Sequence, residues 1–308
     1  MFDLLIIGEI NPDLVLSGKD VVPEFGQAEK LIEHSRLTIG SSAAITACGA
    51  ARLGLSVAFI GLTGDDEFGR FMLKAMQERN VDVSSCVVDP TTATGISVIL
   101  SRPDDRAILT YPGTMPLMHI EQVDESLLQR ARHLHASSYF LLDALRPELP
   151  GLFSRAKSQG LSTSLDTNWD PTGVWDVASM LPHVDIFFPN QNEVQLITGV
   201  PDAAAAMDVL ARRVPTLAIK LGAQGGMARQ GDETITMPAL AVDVVDTTGA
   251  GDSFNAGFLF GYLNNFTLQS SLALACACGS LSTREAGGTS AQATLEEAQA
   301  ALRKDRGL

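Results

Sequence analysis

The sequence predicts an α/β fold, with a doubly wound, mostly parallel sheet and a small β layer beside it. Near-continuous apolar runs such as LLIIGEI and TLAIKLG are typical of strands that are buried on both faces. These runs alternate with segments in which apolar residues recur at helical spacing. The stretch GISVILSRPDDRAILTY breaks this alternation with two β-type runs around Pro103-Asp104-Asp105, which predicts a hairpin.

The first half of the chain supplies the first strands, two helices and the β layer. LLIIGEI is the first strand, and SSAAITACGAARLG predicts a tightly packed helix between a Ser cap and a closing Gly54. VAFIG is the next strand, and DEFGRFMLKAMQERN has apolar residues at helical spacing. We expect a lid formed by about 11–37 and 94–113, with the hairpin at 96–111 as its centre.

The second half returns to alternating strands and helices. The predicted strands are HLHAS, STSLD, DIFFP, TLAIKLG and a short pair around Gly231-Asp232. The predicted helices lie at 253–264, about 268–283 and about 294–303. The sequence has no repeat, low-complexity tract or long linker, so we expect a single domain over residues 1–308.

Composition limits the classes of partner. The chain has 308 residues, of which 45% are hydrophobic, and a net charge of −14, which argues against nucleic acid or an anionic membrane surface as a partner. The N-terminus resembles a strand more than a signal peptide, and no apolar run is long enough to span a bilayer, so we expect a cytoplasmic protein. The spacing of Cys48, Cys86, Cys276 and Cys278 predicts reduced thiols, most of them buried.

The stretch VVDTTGAGDSFNAGF carries the clearest chemical signal. Gly249-Ala250-Gly251 leaves room beside the start of a predicted helix, where unpaired N–H groups can bind an oxyanion such as phosphate. Asp252 would repel that anion if binding were the only task. It is suited to accept the proton of an attacking hydroxyl, because its ordinary pKa of about 3.9 keeps it ionised at neutral pH. The alternative is a plain glycine-rich turn with Asp252 as the helix N-cap.

Two motifs in this order resemble the ribokinase, or phosphofructokinase-B, family of sugar and nucleoside kinases. DTTGAGDSFNAGF is similar to that family's C-terminal signature, and GSSAAITACGAARLG is similar to its N-terminal signature. The resemblance runs from GEINPD to STREAGGTSA. It implies a ribokinase-like fold and an ATP- and Mg²⁺-dependent carbohydrate kinase, with Asp252 as catalytic base and Gly249, Ala250 and Gly251 as the anion hole.

The resemblance also implies a nucleotide site. Asn190 and Glu193 in PNQNE match the family's NxxE motif, in which Glu organises the magnesium waters and Asn contacts the nucleotide phosphates. By themselves these two residues would equally fit a capped helix start. KLGAQGG matches the nucleotide loop, with Lys220, Gly222 and Gly225 beside ATP together with Gly249 and Gly251, although Lys220 would also fit a solvated lysine at a strand end.

The implied sugar site departs from the family pattern. Asn11 and Asp13 match sugar-hydroxyl ligands, although Asn-Pro-Asp is also an ordinary turn. Gly40-Ser41-Ser42 replaces the usual double glycine, and Ile45 stands where the family usually has Asn. DTNWDP resembles the DxNxR segment and contributes Asp166 and Asn168, but Asp170 replaces the Arg that would bind a sugar acid. We therefore expect a neutral sugar, unless Arg102 and Arg106 of the lid compensate.

The resemblance also implies further ligands. Family members often bind a monovalent cation near positions that correspond to Asp246, Thr248 and the 283–288 loop, and K⁺ is the candidate. We expect ATP and a small sugar as ligands and a homodimer through the lid edge. The alternatives are a nucleoside kinase of the same fold and a non-catalytic sugar- or nucleotide-binding protein.

Overall fold

The computed structural model describes residues 1–102 and 105–305, which contain fifteen strands and eight α-helices. The strands are β1 (Leu4–Ile7), β2 (Pro12–Ser17), β3 (His34–Ile39), β4 (Val57–Ile60), β5 (Leu62–Gly64), β6 (Val81–Asp82), β7 (Val87–Asp89), β8 (Ile96–Ser101), β9 (Arg106–Tyr111), β10 (His133–Ala136), β11 (Ser162–Leu165), β12 (Ile186–Phe187), β13 (Thr216–Lys220), β14 (Gly226–Gln230) and β15 (Glu233–Met237). The helices are α1 (Ser42–Leu53), α2 (Glu67–Gln77), α3 (Leu149–Ser158), α4 (Gln191–Thr198), α5 (Ala203–Leu210), α6 (Ala250–Leu263), α7 (Leu268–Ser282) and α8 (Leu295–Asp305).

Nine of these strands form the central sheet, in the order β15-β14-β13-β12-β11-β10-β1-β4-β6. Pairing is parallel from β13 to β6, and β14 and β15 are antiparallel at one edge. Side chains of β1 alternate between two apolar cores, with Leu4 and Ile6 on one face and Leu5 and Ile7 on the other. The predicted doubly wound, mostly parallel α/β fold is confirmed.

A second sheet of four strands lies beside the central one, in the order β3-β2-β8-β9. β2 pairs antiparallel with β3 and parallel with β8, and β8 pairs antiparallel with β9. Asp13 therefore lies in a strand, and the alternative that Asn-Pro-Asp forms an ordinary turn is wrong. The predicted hairpin turn falls on Pro103 and Asp104, which lie outside the described residues.

Helix α6 begins three residues earlier than the sequence predicted. Its first residue is Ala250, and the N-cap is Gly249, whose φ of 72° lies in the left-handed region that favours glycine. Of the three small residues predicted beside the helix start, Gly249 is therefore the N-cap, and Ala250 and Gly251 belong to the first turn. A helix starting at 253 is corrected to one starting at 250, because Gly249 can turn the chain without a side-chain cap.

The cysteine thiols are reduced, as the sequence predicted. All four cysteines are unpaired, and Cys48, Cys276 and Cys278 are buried. Among residues 1–102 and 105–305, no helix combines the length and the apolarity needed to cross a membrane.

Small residues let α6 and α7 pack closely. A Cβ added at Gly257 would lie 2.9 Å from both the Ala275 Cα and the Leu274 carbonyl oxygen. Those atoms belong to the backbone of α7, which cannot move aside as a flexible side chain can. The two helices thus meet at nearly the minimum distance, and this contact holds α6 against α7.

Gly257→Ala should lower the free energy of unfolding by about 1–3 kcal/mol, because the added methyl group must displace the backbone of α7. The matched control is Gly151→Ala on the exposed surface of α3, where an added Cβ would meet only the flexible Arg155 side chain, at 3.2 Å. We expect that control to be neutral or to gain about 0.5–1 kcal/mol. Denaturant unfolding curves measure both changes, and equal stability of the two variants would contradict the close packing.

Candidate active site

A cavity of about 1140 Å³ opens at the carboxyl ends of the parallel strands. It lies between that edge, the N-terminus of α6 and the small sheet. Its volume exceeds the roughly 300–1,000 Å³ of a typical small-molecule site, which leaves room for two ligands. The predicted residues that line it are Asn11, Asp13, Ser41, Ser42, Asn168, Asn190, Glu193, Lys220, Gly222, Gly225, Thr248, Gly249, Ala250, Gly251 and Asp252. Gly40, Asp166 and Asp246 do not line it.

Gly249 and Gly251 leave space around the start of α6. A Cβ at Gly249 would lie 2.7 Å from the Gly288 Cα and 2.9 Å from the Ile45 Cγ2, so both the positive φ and the close contacts require glycine. A Cβ at Gly251 would lie 3.2 Å from the Cδ atom of Lys220. The first N–H groups of a helix lack intrahelical partners. The helix start can therefore receive an anion with a lysine side chain alongside.

Asp252 is the third residue of α6 and is buried. The alternative that it caps the helix is wrong, because Gly249 is the N-cap. Burial raises the pKa of Asp252 to about 8, the charge of Asp166 adds to the effect, and Lys220 and a hydrogen bond with Ser42 oppose it. The expectation of an ordinary carboxylate pKa is therefore corrected, because the sequence does not reveal how completely this side chain is desolvated.

An ion pair lies at the edge of the cavity, with Lys220 on the cavity wall and Asp166 fully buried behind it. The Lys220 Nζ is 2.6 Å from the Asp166 Oδ2, and the same oxygen accepts a hydrogen bond of 2.5 Å from the Asn255 amide. Burial would lower the pKa of Lys220, but Asp166 and Glu193 outweigh that effect and raise it. Lys220 is thus not a solvated strand-end lysine. Asp166, predicted to bind substrate, instead holds Lys220.

Sequence analysis missed Asn255, although a signal for it was present. It follows Asp252 by three residues in GDSFN, and residues three apart share a face of a helix. Its amide connects α6 to Asp166 at the end of β11. Asn255 therefore links the helix that carries Asp252 to the buried ion pair.

Asn190 and Glu193 form a reciprocal cap at the start of α4. The Glu193 N–H donates to Asn190 Oδ1 at 2.9 Å, and the Asn190 N–H donates to Glu193 Oε2 at 2.8 Å. Both side chains also line the cavity, so the capped helix start and the predicted ligand site coincide. Burial raises the pKa of Glu193 to about 7 against the opposing charge of Lys220.

Asn11 and Asp13 enter the cavity from the small sheet. The Asn11 amide donates to Ser97 Oγ at 3.4 Å, and Asp13 is buried. A Cβ at Gly40 would lie 2.3 Å from Asp13 Oδ1. Gly40, predicted to touch substrate, therefore acts indirectly by making room for Asp13. Burial raises the pKa of Asp13 to about 7, with Glu9 and Asp246 adding to the effect and Arg106 opposing it.

Glu9 is a second residue that sequence analysis missed. It follows β1, is buried and lines the cavity. Its Oε1 accepts hydrogen bonds from the Ser42 N–H at 2.9 Å and the Ser138 hydroxyl at 2.8 Å. Asn168 has a left-handed φ of 54° and contacts the same two serines. Its Oδ1 accepts from the Ser138 N–H, and its amide donates to the Ser42 hydroxyl. The position of Glu9 in GEINPD, just after the first strand, is the signal that could have found it.

Asp170 and Trp169 have different surroundings. The Asp170 carboxylate accepts bonds from the N–H groups of Thr172 and Trp175, at 2.8 and 2.7 Å, and so closes a local turn. It does not line the cavity, whereas Trp169 does and is 63% exposed. The replacement of Arg at position 170 therefore leaves a turn-stabilising group rather than a new acidic ligand. Ile45 lines the cavity as an apolar wall.

The loop before α6 is held from two sides. Asp246 accepts bonds from the Thr248 N–H and hydroxyl through Oδ1, at 2.9 and 2.8 Å, and from the Gly287 N–H through Oδ2, at 2.8 Å. Arg106 in β9 donates to the Thr248 hydroxyl at 3.1 Å and lines the cavity, whereas Arg102 does not line it. The small sheet thus contacts the loop that leads to the helix start.

Comparisons with known proteins show the family of the chain. The model of the pfkB family carbohydrate kinases matches residues 1–295. An uncharacterized sugar kinase from Archaeoglobus fulgidus is 30% identical over 226 residues, 72% of this chain and 88% of that protein. An ATP-dependent ribose-1-phosphate kinase from Halopiger xanaduensis is 29% identical over 293 residues, 94% of this chain and 95% of that protein.

Solved structures support the fold. Arabidopsis thaliana ribokinase, complexed with ribose and ATP, has a TM-score of 0.82 at 21% identity, covering 98% of this chain and 99% of that one. Adenosine kinase from Sinorhizobium meliloti has a TM-score of 0.83 at 24% identity, again covering 98% and 99%. The predicted ribokinase-like fold is confirmed. The chain therefore belongs to the pfkB family of carbohydrate kinases and is an ATP-dependent kinase.

Proposed function

We propose that the protein transfers the γ-phosphate of ATP to a hydroxyl group of a small neutral sugar. The observation that carries this proposal is the position of Asp252 next to Gly249–Gly251, at the start of α6 and on the wall of the cavity. Asn11 and Asp13 line the same cavity from the small sheet. Phosphate-binding groups and hydroxyl-binding groups thus share one cavity, with an acid among them.

Asp252 acts in this scheme as the general base. Its carboxylate accepts the proton of the attacking hydroxyl, and a pKa raised to about 8 makes it a stronger base than an ordinary Asp. The N–H groups of the first turn of α6 stabilise negative charge on the transferred group. Lys220, held by Asp166, adds a fixed positive charge beside Gly251.

The nucleotide would bind where the start of α4 and the loop after β13 line the cavity. Glu193 would hold Mg²⁺ through its waters, and Asn190 would contact the nucleotide phosphates. Gly222 and Gly225 would border the nucleotide. Bound ATP supplies the transferred group, and Mg²⁺ neutralises part of its charge. The donor set fits Mg²⁺, which keeps most of its waters and needs few protein carboxylates, and Glu193 lines the cavity.

Charge in the sugar half of the cavity supports a neutral substrate. Glu9, Asp13 and Asp252 line it, and Arg106 is the cation that affects the pKa of Asp13. Carboxyl groups exchange hydrogen bonds with hydroxyl groups, and in their ionised form they repel a carboxylated sugar. A nucleoside is the second candidate, because the exposed Trp169 on the cavity wall offers a face for stacking a base. A non-catalytic binding protein would have no use for Asp252.

Substrate panels test the proposal directly. Neutral sugars, sugar acids and nucleosides are each incubated with ATP and Mg²⁺, and phosphorylated products are measured. A neutral sugar should have the highest kcat/KM. A sugar acid preferred by a wide margin would contradict the substrate assignment, and a lack of turnover with the whole panel would favour a binding protein.

We further propose that residues 1–308 form one domain. The small sheet, formed by about 11–37 and 94–113, would act as the lid of the cavity.

The edge strand β9 is exposed along its whole length and carries Ile108, Leu109 and Tyr111, each more than half exposed. Such an edge can pair with another strand, and a homodimer through the lid follows. A monomeric mass in sedimentation at micromolar concentration would contradict the dimer.

The monovalent-cation site is also a proposal. Both oxygens of Asp246 already accept hydrogen bonds, so K⁺ would be bound by backbone carbonyls near Asp246, Thr248 and 283–288. Turnover should then be higher in K⁺ than in tetramethylammonium at equal ionic strength, and equal rates would exclude the requirement.

Asp252→Asn should reduce kcat by about 10²–10⁴-fold, because the amide cannot accept the proton. ATP affinity, measured by calorimetry, should be nearly unchanged. Stability should be preserved, since Gly249 is the N-cap and the change removes a buried acid. Wild-type kcat in this variant, with chemistry rate-limiting, would mean that Asp252 is not the base.

Gly249→Val is the contrasting variant. The branched side chain would meet Gly288 at the start of α6 and must adopt a left-handed φ, so both stability and ATP affinity should fall.

Sugar binding should slow hydrogen exchange in β9. Arg106 already joins this strand to Thr248, and closure of the lid would order the strand further and exclude water from the cavity. Exchange with and without saturating sugar, followed by mass spectrometry, measures the effect. Strands β10 and β11 of the central sheet serve as the internal control, and unchanged exchange in β9 would contradict lid closure.

A further inference from the structure

An exposed tryptophan lies on the wall of the cavity. Trp169 is 63% exposed, and both it and Pro171 line the cavity, whereas Asp170 between them does not. Within residues 1–102 and 105–305, the other aromatic side chain that lines the cavity is Phe254, which is only 4% exposed. A large apolar surface that is open to water inside a cavity indicates a ligand that would cover it.

The indole of Trp169 is held in place by its neighbours. Its ring meets the ring of the buried Trp175 edge to face, with centroids 5.2 Å apart and an angle of 86° between the planes. Asn168, just before it, accepts from the Ser138 N–H, and Asp170, just after it, accepts from the Trp175 N–H at 2.7 Å. Trp169 therefore presents a preorganised surface, which loses little conformational freedom when a ligand binds.

A short series of contacts connects this surface to the proposed base. Trp169 follows Asn168, whose amide donates to the Ser42 hydroxyl, and Ser42 in turn hydrogen-bonds to Asp252. Trp169 thus lies near the part of the cavity where the hydroxyl group would react. The sugar ring carries that hydroxyl group, so the ring is the part of the substrate that would reach the indole. The base of a nucleoside is attached at another carbon and would lie farther from Asp252.

We propose that Trp169 is a specificity-determining residue whose indole stacks against the C–H face of the sugar ring. This inference rests on the proposed function, because it takes the cavity to be the sugar site. Stacking removes apolar area from water, and the negative face of an aromatic ring attracts the slightly positive C–H hydrogens. Hydroxyl groups at the rim of the ring remain free to bond with Asn11 and Asp13. The site should therefore select a sugar with one ring face free of hydroxyl groups.

Tryptophan fluorescence tests this contact without catalysis. The chain has two tryptophans, and Trp175 is only 7% exposed, so acrylamide should quench mainly Trp169. The best neutral sugar, added without ATP, should reduce this quenching in the wild type. It should have no such effect in Trp169→Leu, which retains only Trp175. If the sugar leaves the quenching of the wild type unchanged, the inference is overturned.

Steady-state kinetics distinguish stacking from shielding of Trp169 by a closed lid. Trp169→Leu should raise KM for the sugar by about 5–50-fold, and Trp169→Phe should recover part of that loss. Because stacking stabilises the bound sugar and the transition state alike, kcat should stay within about twofold of the wild type, with KM for ATP unchanged. An unchanged KM for the sugar in Trp169→Leu would overturn the inference.

Val174→Ala is the matched control. Val174 belongs to the same loop and is 73% exposed, but it does not line the cavity, so this variant should keep the wild-type KM. A rise in KM as large as that of Trp169→Leu would mean that the loop matters only structurally, against the inference.

Failure of the inference is distinguishable from failure of the proposed function. If the wild type and Trp169→Leu phosphorylate a neutral sugar with equal KM, the proposed function stands and the inference fails. If the sugar reduces the quenching of Trp169 but no product forms, the inference stands and the proposed phosphoryl transfer fails. If only nucleosides reduce the quenching, the inference is overturned in favour of a nucleoside substrate.

Discussion

The ion pair between Lys220 and Asp166 connects the central sheet to helix α6, which carries Asp252. Lys220 lines the cavity and Asp166 lies behind it, so the pair spans the carboxyl ends of β13 and β11. Asn255 joins α6 to the Asp166 Oδ2. An isolated buried charge would be strongly unfavourable, so each partner depends on the other. Loss of either would leave an unpaired charge beneath the start of α6. The position of Asp252 thus depends on residues far from it in the chain.

Desolvation is the common physical feature of the acids around the cavity. Burial is the largest cause of the raised pKa in Glu9, Asp13, Glu193 and Asp252. Grouping several desolvated acids around one cavity opposes folding as pH rises, because each favours its neutral form in the folded state. In the proposed function the same acids supply the general base, the acceptors for sugar hydroxyl groups and the carboxylate near the hydrated cation. The acids that the proposed chemistry needs therefore lower the stability of the folded protein at neutral and higher pH.

Local sequence motifs were enough to predict the fold and many residues of the site. Contacts between residues distant in the chain could not be predicted in this way. The alternation of apolar runs with helical spacing was enough to predict the parallel sheet. Three small residues followed by Asp252 predicted an anion-binding helix N-terminus. The pairing of Lys220 with Asp166 joins residues 54 positions apart, and no spacing rule reveals such a contact. Asp170 was expected to affect the ligand, yet its carboxylate closes a turn, because side-chain direction depends on local backbone conformation. The raised pKa of Asp252 required burial, which the sequence alone does not give.

The pH dependence of kcat/KM tests the role of Asp252 most directly. The base must be ionised, so protonation at low pH should inhibit the reaction. With a free-enzyme pKa of about 8, kcat/KM should rise about tenfold per pH unit below that value and level off above it. Asp252→Asn should lack this limb in its residual activity. A wild-type profile that is flat from about pH 5 to about pH 9 would contradict the assignment of a buried, proton-accepting Asp252.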